Sequence, residues 1–388
     1  MIDLPFFDVQ HRQVSSALSE LAADLAPLAD RGEAGDADGA GREALRIFAA
    51  RGLCRRLVPR DHGGEGLDLR TLCLIREAAA GASALADSVF AVQGLGSYPL
   101  ALGAEPDVAR KYFSEVAEGR AVAAFALTEP DAGSDVSSIA ATARREGDHY
   151  SIDGTKVFIS NATIASFFVA FARTAPPPAL SGVEGKRAIS AFVIDAATPG
   201  LTIHPMAVSA PHPIGRLEFR GCRVPAAHRI GEEGDGMRVA LATLDFFRTS
   251  VGAAACGIAA RALGESRRRA SSRQQFGSRI ADFQLTQAAL ADTATELDAA
   301  RLLVYRAAWL KDQGRDRLTR ESAMAKLFAT EAAQRIVDRA VQIHGGEGVE
   351  RGTVVERLYR EVRAARIYEG TSEIQRLVIA RHLLEPQA

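Results

Sequence analysis

Between about residues 121 and 230 the apolar residues of this chain recur with a period near two, and on either side they recur with the helical period. That switch constrains the fold more than any other feature, because a side-chain set that lines one face of a strand scatters around a helix. Runs such as Lys156-Val157-Phe158-Ile159 and Phe167-Phe168-Val169-Ala170-Phe171 read as strands. Before them, Val14, Leu18, Leu21 and Leu25 share one helical face, and Leu69, Leu72, Cys73 and Arg76 begin another amphipathic segment. From about 236 the helical period returns in long elements, punctuated by Gly314 and Gly345-Gly346. This order predicts an α+β chain, mostly α, with a helical N-terminal domain over 1–120, a middle antiparallel β-domain over 121–230 and a C-terminal helical bundle over 231–388. Asp153-Gly154, between His149–Ile152 and Thr155–Phe158, predicts a two-residue hairpin turn. The proline-rich stretch from Ala175 to Gly185 predicts an exposed loop between strands.

Near the C-terminus, Arg366-Ile367-Tyr368-Glu369-Gly370-Thr371-Ser372-Glu373-Ile374-Gln375-Arg376 places a carboxylate on a glycine-punctuated corner between two helical patterns. Ser372 with Gln375 three residues on predicts a capping box for the second helix. Locally, Glu369 fits a solvated hinge and a pocket-facing carboxylate equally well. The segment Phe125 to Ser134 joins flexibility at Gly133 to hydroxyls at Thr128 and Ser134, which lets backbone N–H groups and hydroxyls approach a ring or a phosphate. Thr-Glu-Pro and Gly-Ser are also ordinary turn chemistry. Arg273, downstream of Arg267-Arg268-Arg269, suits a phosphate or a solvated basic face. Asp245 and Arg248 have the spacing of an intrahelical ion pair.

Composition removes several classes. Lys and Arg number 47 and Asp and Glu 48 in 388 residues, a formal charge of −1, so no bulk field attracts nucleic acid. Cys54, Cys73, Cys222 and Cys256 are widely spaced, which suggests free thiols and neither a zinc site nor a disulfide framework. No His, Cys and carboxylate spacing suggests a metal. The first residues have no basic stretch followed by an apolar core, and no uninterrupted apolar run approaches a membrane span, so a soluble cytoplasmic protein is expected. His62-Gly63-Gly64-Glu65-Gly66 and His344-Gly345-Gly346-Glu347-Gly348 look like esterase oxyanion loops, yet no G-x-S-x-G elbow accompanies them. Nor does a G-x-G-x-x-G follow an N-terminal strand, so a nucleotide cofactor would need another kind of site.

Two motifs then carry a resemblance. Leu127-Thr128-Glu129-Pro130-Asp131-Ala132-Gly133-Ser134-Asp135 and Tyr368-Glu369-Gly370-Thr371-Ser372-Glu373-Ile374-Gln375-Arg376 resemble the central and C-terminal signatures of the FAD-dependent acyl-CoA dehydrogenases. Phe158–Ala162, Asp245–Arg248, Arg273–Gly277 and Gln342–Gly346 correspond as well. The resemblance covers essentially the whole chain and implies a helical domain, a middle antiparallel β-barrel and a C-terminal helical bundle. It implies that Glu369 takes the α-proton of an acyl-CoA thioester while the flavin N5 takes a hydride. Removal of the α-proton needs a base whose pKa has been raised toward working pH. In a minority of the family the base precedes the Arg of the Asp-x-x-Arg motif, where this chain has Phe247, which cannot accept a proton. Charge developing on the thioester oxygen is met, by resemblance, with a ribityl hydroxyl and the backbone N–H of the catalytic Glu.

The resemblance further implies FAD contacts from Phe125, Leu127, Thr128, Gly133, Ser134, Phe158, Ser160, Arg273, Phe276, Gln284, Gln342, Gly345, Gly346, Thr371 and Glu373, some of them to a neighbouring subunit's cofactor. Ser134, Asp245, Phe247, Arg248 and Gly370 correspond to substrate contacts. Phe158 stands where the family often has Trp, and an aromatic pointing into the β-core is its other reading. The implied product is a trans-2-enoyl-CoA, the implied acceptor an electron-transfer flavoprotein, and the implied assembly a homotetramer. Other readings are an oxygen-using acyl-CoA oxidase or flavin monooxygenase of the same fold, or a non-catalytic CoA-binding scaffold. Phe246-Phe247 and the uncharged Val92–Gly96 segment suggest a short-to-medium, uncharged acyl group, branched or cyclic ones included, unless both rings simply pack into the core.

Overall fold

The computed structural model describes residues 2–174, 188–315 and 317–384; the loop expected at 175–185 lies outside them. Helices α1 (Val9–Glu33), α2 (Ala37–Ala50), α3 (Leu69–Ala82), α4 (Ala84–Ser97) and α5 (Pro106–Ala117) come first. Strands β1 (Ala123–Ala126), β2 (Thr142–Glu146), β3 (His149–Ser160), β4 (Phe167–Arg173), β5 (Ile189–Asp195), β6 (Leu201–Pro205), β7 (Ile214–Pro225) and β8 (Arg229–Ile230) follow. Then come α6 (Gly236–Ser272), the ribbon β9 (Gln274–Gln275) and β10 (Ser278–Arg279), α7 (Gln284–Asp312), α8 (Thr319–His344), α9 (Val354–Arg363) and α10 (Ser372–Leu384). The period change thus marks the passage from helix to strand and back. By contacts the chain divides into a sheet unit, Leu28–Leu67 with Ser88–Phe246, and a helical unit, Met1–Pro27, Asp68–Asp87 and Phe247–Ala388.

In the sheet unit the strand order is β6-β7-β3-β2-β4-β5-β8, with β1 added in parallel to β4. The other pairings are antiparallel apart from one parallel bridge between Thr142 and Arg173. Every residue of β4 is buried, although its side chains alternate. Phe167, Val169 and Phe171 enter a core with Tyr112, Phe113 and Val116 of α5. Phe168, Ala170 and Ala172 enter a second core with Tyr150, Ile152, Leu217 and Phe219. A strand covered on both faces has no polar side to alternate with, which is why its sequence is an unbroken apolar run.

The hairpin expected at Asp153-Gly154 does not form. Strand β3 runs straight through both residues, and the reversal lies earlier, at Gly147-Asp148, with Gly147 at φ +67°. Gly154 has a different task. A Cβ there would stand 2.6 Å from Ala141 Cβ and 2.7 Å from its Cα, and φ is +143°. Asp153 Oδ1 accepts a hydrogen bond from Gly221 N at 2.7 Å, where β7 carries an extra residue opposite β3. Close approach, not a turn, is what the glycine permits.

The helical unit is organised around α3, whose Arg70, Arg76 and Glu77 are all buried and all matched. Arg70 Nε donates to Asp312 at 2.8 Å, Arg76 grips both oxygens of Asp87 at 2.9 and 2.8 Å, and Glu77 binds Arg301 at 2.7 Å and the Tyr305 hydroxyl at 2.8 Å. Buried charges of this kind hold only when partnered, and losing one partner typically costs roughly 3–5 kcal/mol. His11, Asp68 and Asp312 also converge, but backbone N–H groups and Arg70 already occupy the Asp312 carboxylate. Helix α6 is long and apolar enough by composition to cross a membrane, yet 78% of its apolar stretch is buried within the protein, as in a core helix. The four cysteines are free and buried, with Cys54 and Cys222 in the sheet unit and Cys73 and Cys256 in the helical unit.

Gly154→Ala is expected to destabilise the protein by roughly 1–3 kcal/mol through overpacking against Ala141. Chemical denaturation should show a lower midpoint with an unchanged slope.

Candidate active site

The helical unit places Glu369 on a corner that few residues adopt willingly. Its φ is +53°, and Gly370 follows at +92°. For a residue with a side chain the left-handed region costs of order 1–3 kcal/mol and persists only where the surroundings enforce it. Three contacts enforce it here. Gln375 Nε2 donates to the Glu369 carbonyl at 3.2 Å and to the Gly370 carbonyl at 2.9 Å, and Lys326 Nζ donates to the Gly370 carbonyl at 2.8 Å. The capping box expected from Ser372 and Gln375 is therefore not formed. Thr371 caps α10 instead, its Oγ1 accepting from Ile374 N at 3.3 Å, because Ser372 Oγ is drawn to Glu331 of α8 at 2.6 Å.

The carboxylate itself is held apart from water on one side. Glu369 Oε2 is buried and has no hydrogen-bond partner among the described residues. Burial pushes its pKa above the ordinary value; Arg76, Arg248 and Lys326 pull it back, and Asp87 adds a further push. The net direction is upward. Burial likewise brings the Lys326 ammonium down to about 8, a shift opposed by Glu369 and reinforced by Arg248. Phe247 is 1% exposed and Arg248 is buried beside it on α6. Arg76, Asp87 and Lys326 went unrecognised from sequence as members of this site. The only signal was a charge inside an apolar helical run, such as Lys326 among Ala323, Ala325 and Ala329.

Elsewhere in the helical unit, Arg269 forks onto both Glu347 oxygens at 2.8 and 2.9 Å, tying the end of α6 to the Gly345–Val349 segment. Arg273, Phe276, Gln284, Gln342, Gly345, Gly346 and Glu373 are all exposed, and Phe276 is 95% so on backbone at φ +51°. The Phe276 ring lies 6.3 Å from that of Phe283, just before Gln284. Open space lies where a Cβ would be at Gly277, Gly345 and Gly346.

In the sheet unit a second group forms around a bulge in β3. Between Lys156 and Ile159 the strand carries one residue more than β7 opposite, and Phe158 takes φ +56° and is 60% exposed. Such bulges re-aim side chains, and the ring does not enter the β-core. Val157 N donates to the Thr128 carbonyl at 2.9 Å, which places half-buried Thr128 beside this bulge. Beneath it the buried Lys156 Nζ donates to Glu129 Oε1 at 2.7 Å and to the Leu127 carbonyl at 3.0 Å. The Leu127 side chain is packed in the core, leaving only its backbone for a ligand. Phe125 is half-buried against Phe171, and Gly133 and Ser134 are exposed with open space at the Gly133 Cβ position. Ser160 is half-buried, 3.3 Å from His212 Nε2. Asp245 is half-buried on α6, and Phe246 next to it stacks on Tyr98 at 5.1 Å.

These donor sets fit a flavin dinucleotide. Phe158, Thr128 and Ser160 supply an exposed ring and hydroxyls on constrained backbone. Arg273 and side-chain-free glycines supply a cation and close backbone approach for a diphosphate. Of the four non-glycine residues at positive φ among the described residues, three (Phe158, Phe276 and Glu369) belong to these groups.

Fold and site together define a flavin-dependent oxidoreductase of the helical-bundle kind. Residues 9–120, 124–222 and 234–384 match the family models for the N-terminal, middle and C-terminal domains of acyl-CoA dehydrogenase. The chain belongs to the acyl-CoA dehydrogenase family, whose cofactor is FAD. It is similar to cyclohexane-1-carbonyl-CoA dehydrogenase of Geobacter metallireducens, 36% identical over 97% of this chain and 98% of the relative. A chain in a solved structure of the electron transferring flavoprotein of Acidaminococcus fermentans superposes with a TM-score of 0.90 at 34% identity, covering 98% of this chain and 99% of that one. PigA, solved as an FAD complex, does so with 0.88 at 30%, covering 97% and 98%.

Because the Glu369 pKa is raised on folding, the native state holds this proton more tightly than the unfolded chain. The resulting destabilisation is absent below the ordinary carboxylate value of 4.5 and complete above the raised native value. Glu369→Gln, which mimics the protonated form, should therefore be more stable than the parent at pH 8, with the gain fading as pH falls toward 4.5 and gone below it. Denaturation midpoints across that range measure it.

Proposed function

We propose that this protein dehydrogenates an acyl-CoA thioester to a trans-2-enoyl-CoA, with Glu369 as the base for the α-proton. The observation that carries this reading is the buried, unpartnered Glu369 Oε2 on a backbone corner held in strained geometry. An α-C–H of a thioester is a weak acid, so its base must be both available and basic. Burial supplies basicity, and Arg76, Arg248 and Lys326 limit how far the pKa rises. On taking the proton Glu369 becomes neutral, which relieves the cost of burying its charge. Gln375 and Lys326 fix the corner's carbonyls, so the carboxylate is positioned before substrate arrives. FAD, when bound, supplies the acceptor for the hydride that leaves the β-carbon. Phe158, Thr128 and Ser160 would hold its ring, and Arg273 the diphosphate of a neighbouring subunit's FAD.

Four finer assignments belong to the same reading. The acyl group is short to medium and uncharged, cyclic ones included. The cyclohexane-1-carbonyl-CoA for which the Geobacter relative is named supports it, whereas the burial of Phe246 and Phe247 is what the core-packing reading of those rings requires. Electrons leave to an electron-transfer flavoprotein, a reading supported by the likeness to a chain solved with the Acidaminococcus flavoprotein. The active form is a homotetramer, consistent with the exposure of Phe276, Leu285, Leu377, Leu383 and Leu384. Four free buried thiols support a reducing compartment, the cytoplasm.

Glu369→Gln should bind acyl-CoA and FAD yet reduce its flavin on the order of 10²–10⁴-fold more slowly or worse. Stopped-flow bleaching of the flavin reads this directly, and a variant reducing at the parental rate would overturn the assignment. The same assay across an acyl-CoA panel tests the chain-length reading. A specificity constant for palmitoyl-CoA above those for four- to eight-carbon and cyclic thioesters would reverse it.

A further inference from the structure

Beside the β3 bulge lies a histidine that none of the assigned roles uses. His212 sits in the connection from β6 to β7, and its Nε2 lies 3.3 Å from Ser160 Oγ. The ring's other nitrogen, Nδ1, lies 3.0 Å from the Ala210 carbonyl oxygen. A carbonyl only accepts, so Nδ1 must carry the proton. In a neutral ring that leaves Nε2 as an acceptor. Burial holds the His212 pKa below its ordinary value, which keeps the ring neutral at neutral pH. The hydroxyl hydrogen of Ser160 is therefore committed to His212, and its oxygen is left to offer only lone pairs to anything else.

The surroundings fix this arrangement. Asn161, next to Ser160, donates its backbone N–H to the Pro213 carbonyl at 2.6 Å, which joins the two segments directly. Its side chain donates to the Val89 and Ala123 carbonyls at 3.2 and 3.1 Å. Met206 N donates to the Ile214 carbonyl at 3.0 Å, closing the connection that carries His212. Ser160 and Ile214 are register partners in the β3–β7 ladder.

We propose that His212 is a positioning residue that polarises Ser160, fixing its hydroxyl as a hydrogen-bond acceptor toward the FAD ring. The inference rests on the functional reading above, in which Ser160 faces that ring. An acceptor at this place discriminates between the two redox forms of FAD, because the reduced ring carries an N–H where the oxidised ring carries a bare nitrogen. His212 thereby favours the reduced form. It acts through Ser160 and touches neither substrate nor the reacting atoms.

The test is the flavin reduction potential of the FAD-loaded protein, measured by spectroscopic redox titration without acyl-CoA. A neutral hydrogen bond contributes roughly 0.5–1.5 kcal/mol, so His212→Leu should lower the ratio of reduced to oxidised flavin at a given potential by roughly threefold to tenfold. His212→Gln, whose amide oxygen can accept from Ser160, should restore most of the shift. In a Ser160→Ala background, His212→Leu should change nothing further. An unmoved potential in FAD-loaded His212→Leu, or an equal shift in the Ser160→Ala background, would overturn the inference while leaving the functional reading intact. A parent protein that binds no FAD would overturn both.

Discussion

A carboxylate kept from water must not be left uncompensated, and the helical unit meets both conditions at Glu369. Burial alone pushes the Glu369 pKa up, and a direct ion pair would pull it back down. The structure takes a middle course. Arg76, Arg248 and Lys326 act electrostatically on the carboxylate, while the Lys326 ammonium donates to the Gly370 carbonyl. Arg76 is itself held by Asp87 and by Ser250 Oγ at 2.8 Å. A cation so engaged cannot swing over to neutralise Glu369.

That arrangement explains why α3 tolerates so many buried charges. Its guanidinium and carboxylate groups cost free energy to bury, and apolar substitutes would often be as stable. What the charges provide is a fixed field. The placement of Asp87 and Arg76 sets the energy of a proton on a third residue far away in sequence.

The sequence made the alternation of helix and strand legible because the period of the apolar residues changes where the structure changes. Strand β4 illustrates this, with every residue apolar as far as Ala172 and every residue buried. Local turn chemistry was a poorer guide. Asp153-Gly154 has the composition of a hairpin, but the glycine serves the close approach of Ala141, a contact that no short-range pattern encodes. Ser372 has the composition of a cap, but Glu331 on another helix competes for its hydroxyl. Glu369 and Phe158 were legible as candidates, and both stand on left-handed backbone. Lys326, Arg76 and His212 were not, because their importance comes from what tertiary packing brings beside them, and a lone charge or histidine in a helix or loop looks the same whether or not it matters.

The four cysteines carry a consequence for following the protein's motions. A thiol reacts as its thiolate, and burial raises the pKa of each, to about 12 at Cys54 and about 11 at Cys222. None is open to a reagent while its surroundings stay closed. Two lie in the sheet unit and two in the helical unit. The chain therefore carries its own reporters of local opening: the rate at which each pair is alkylated reads how often that unit breathes, with no label introduced and no core residue replaced.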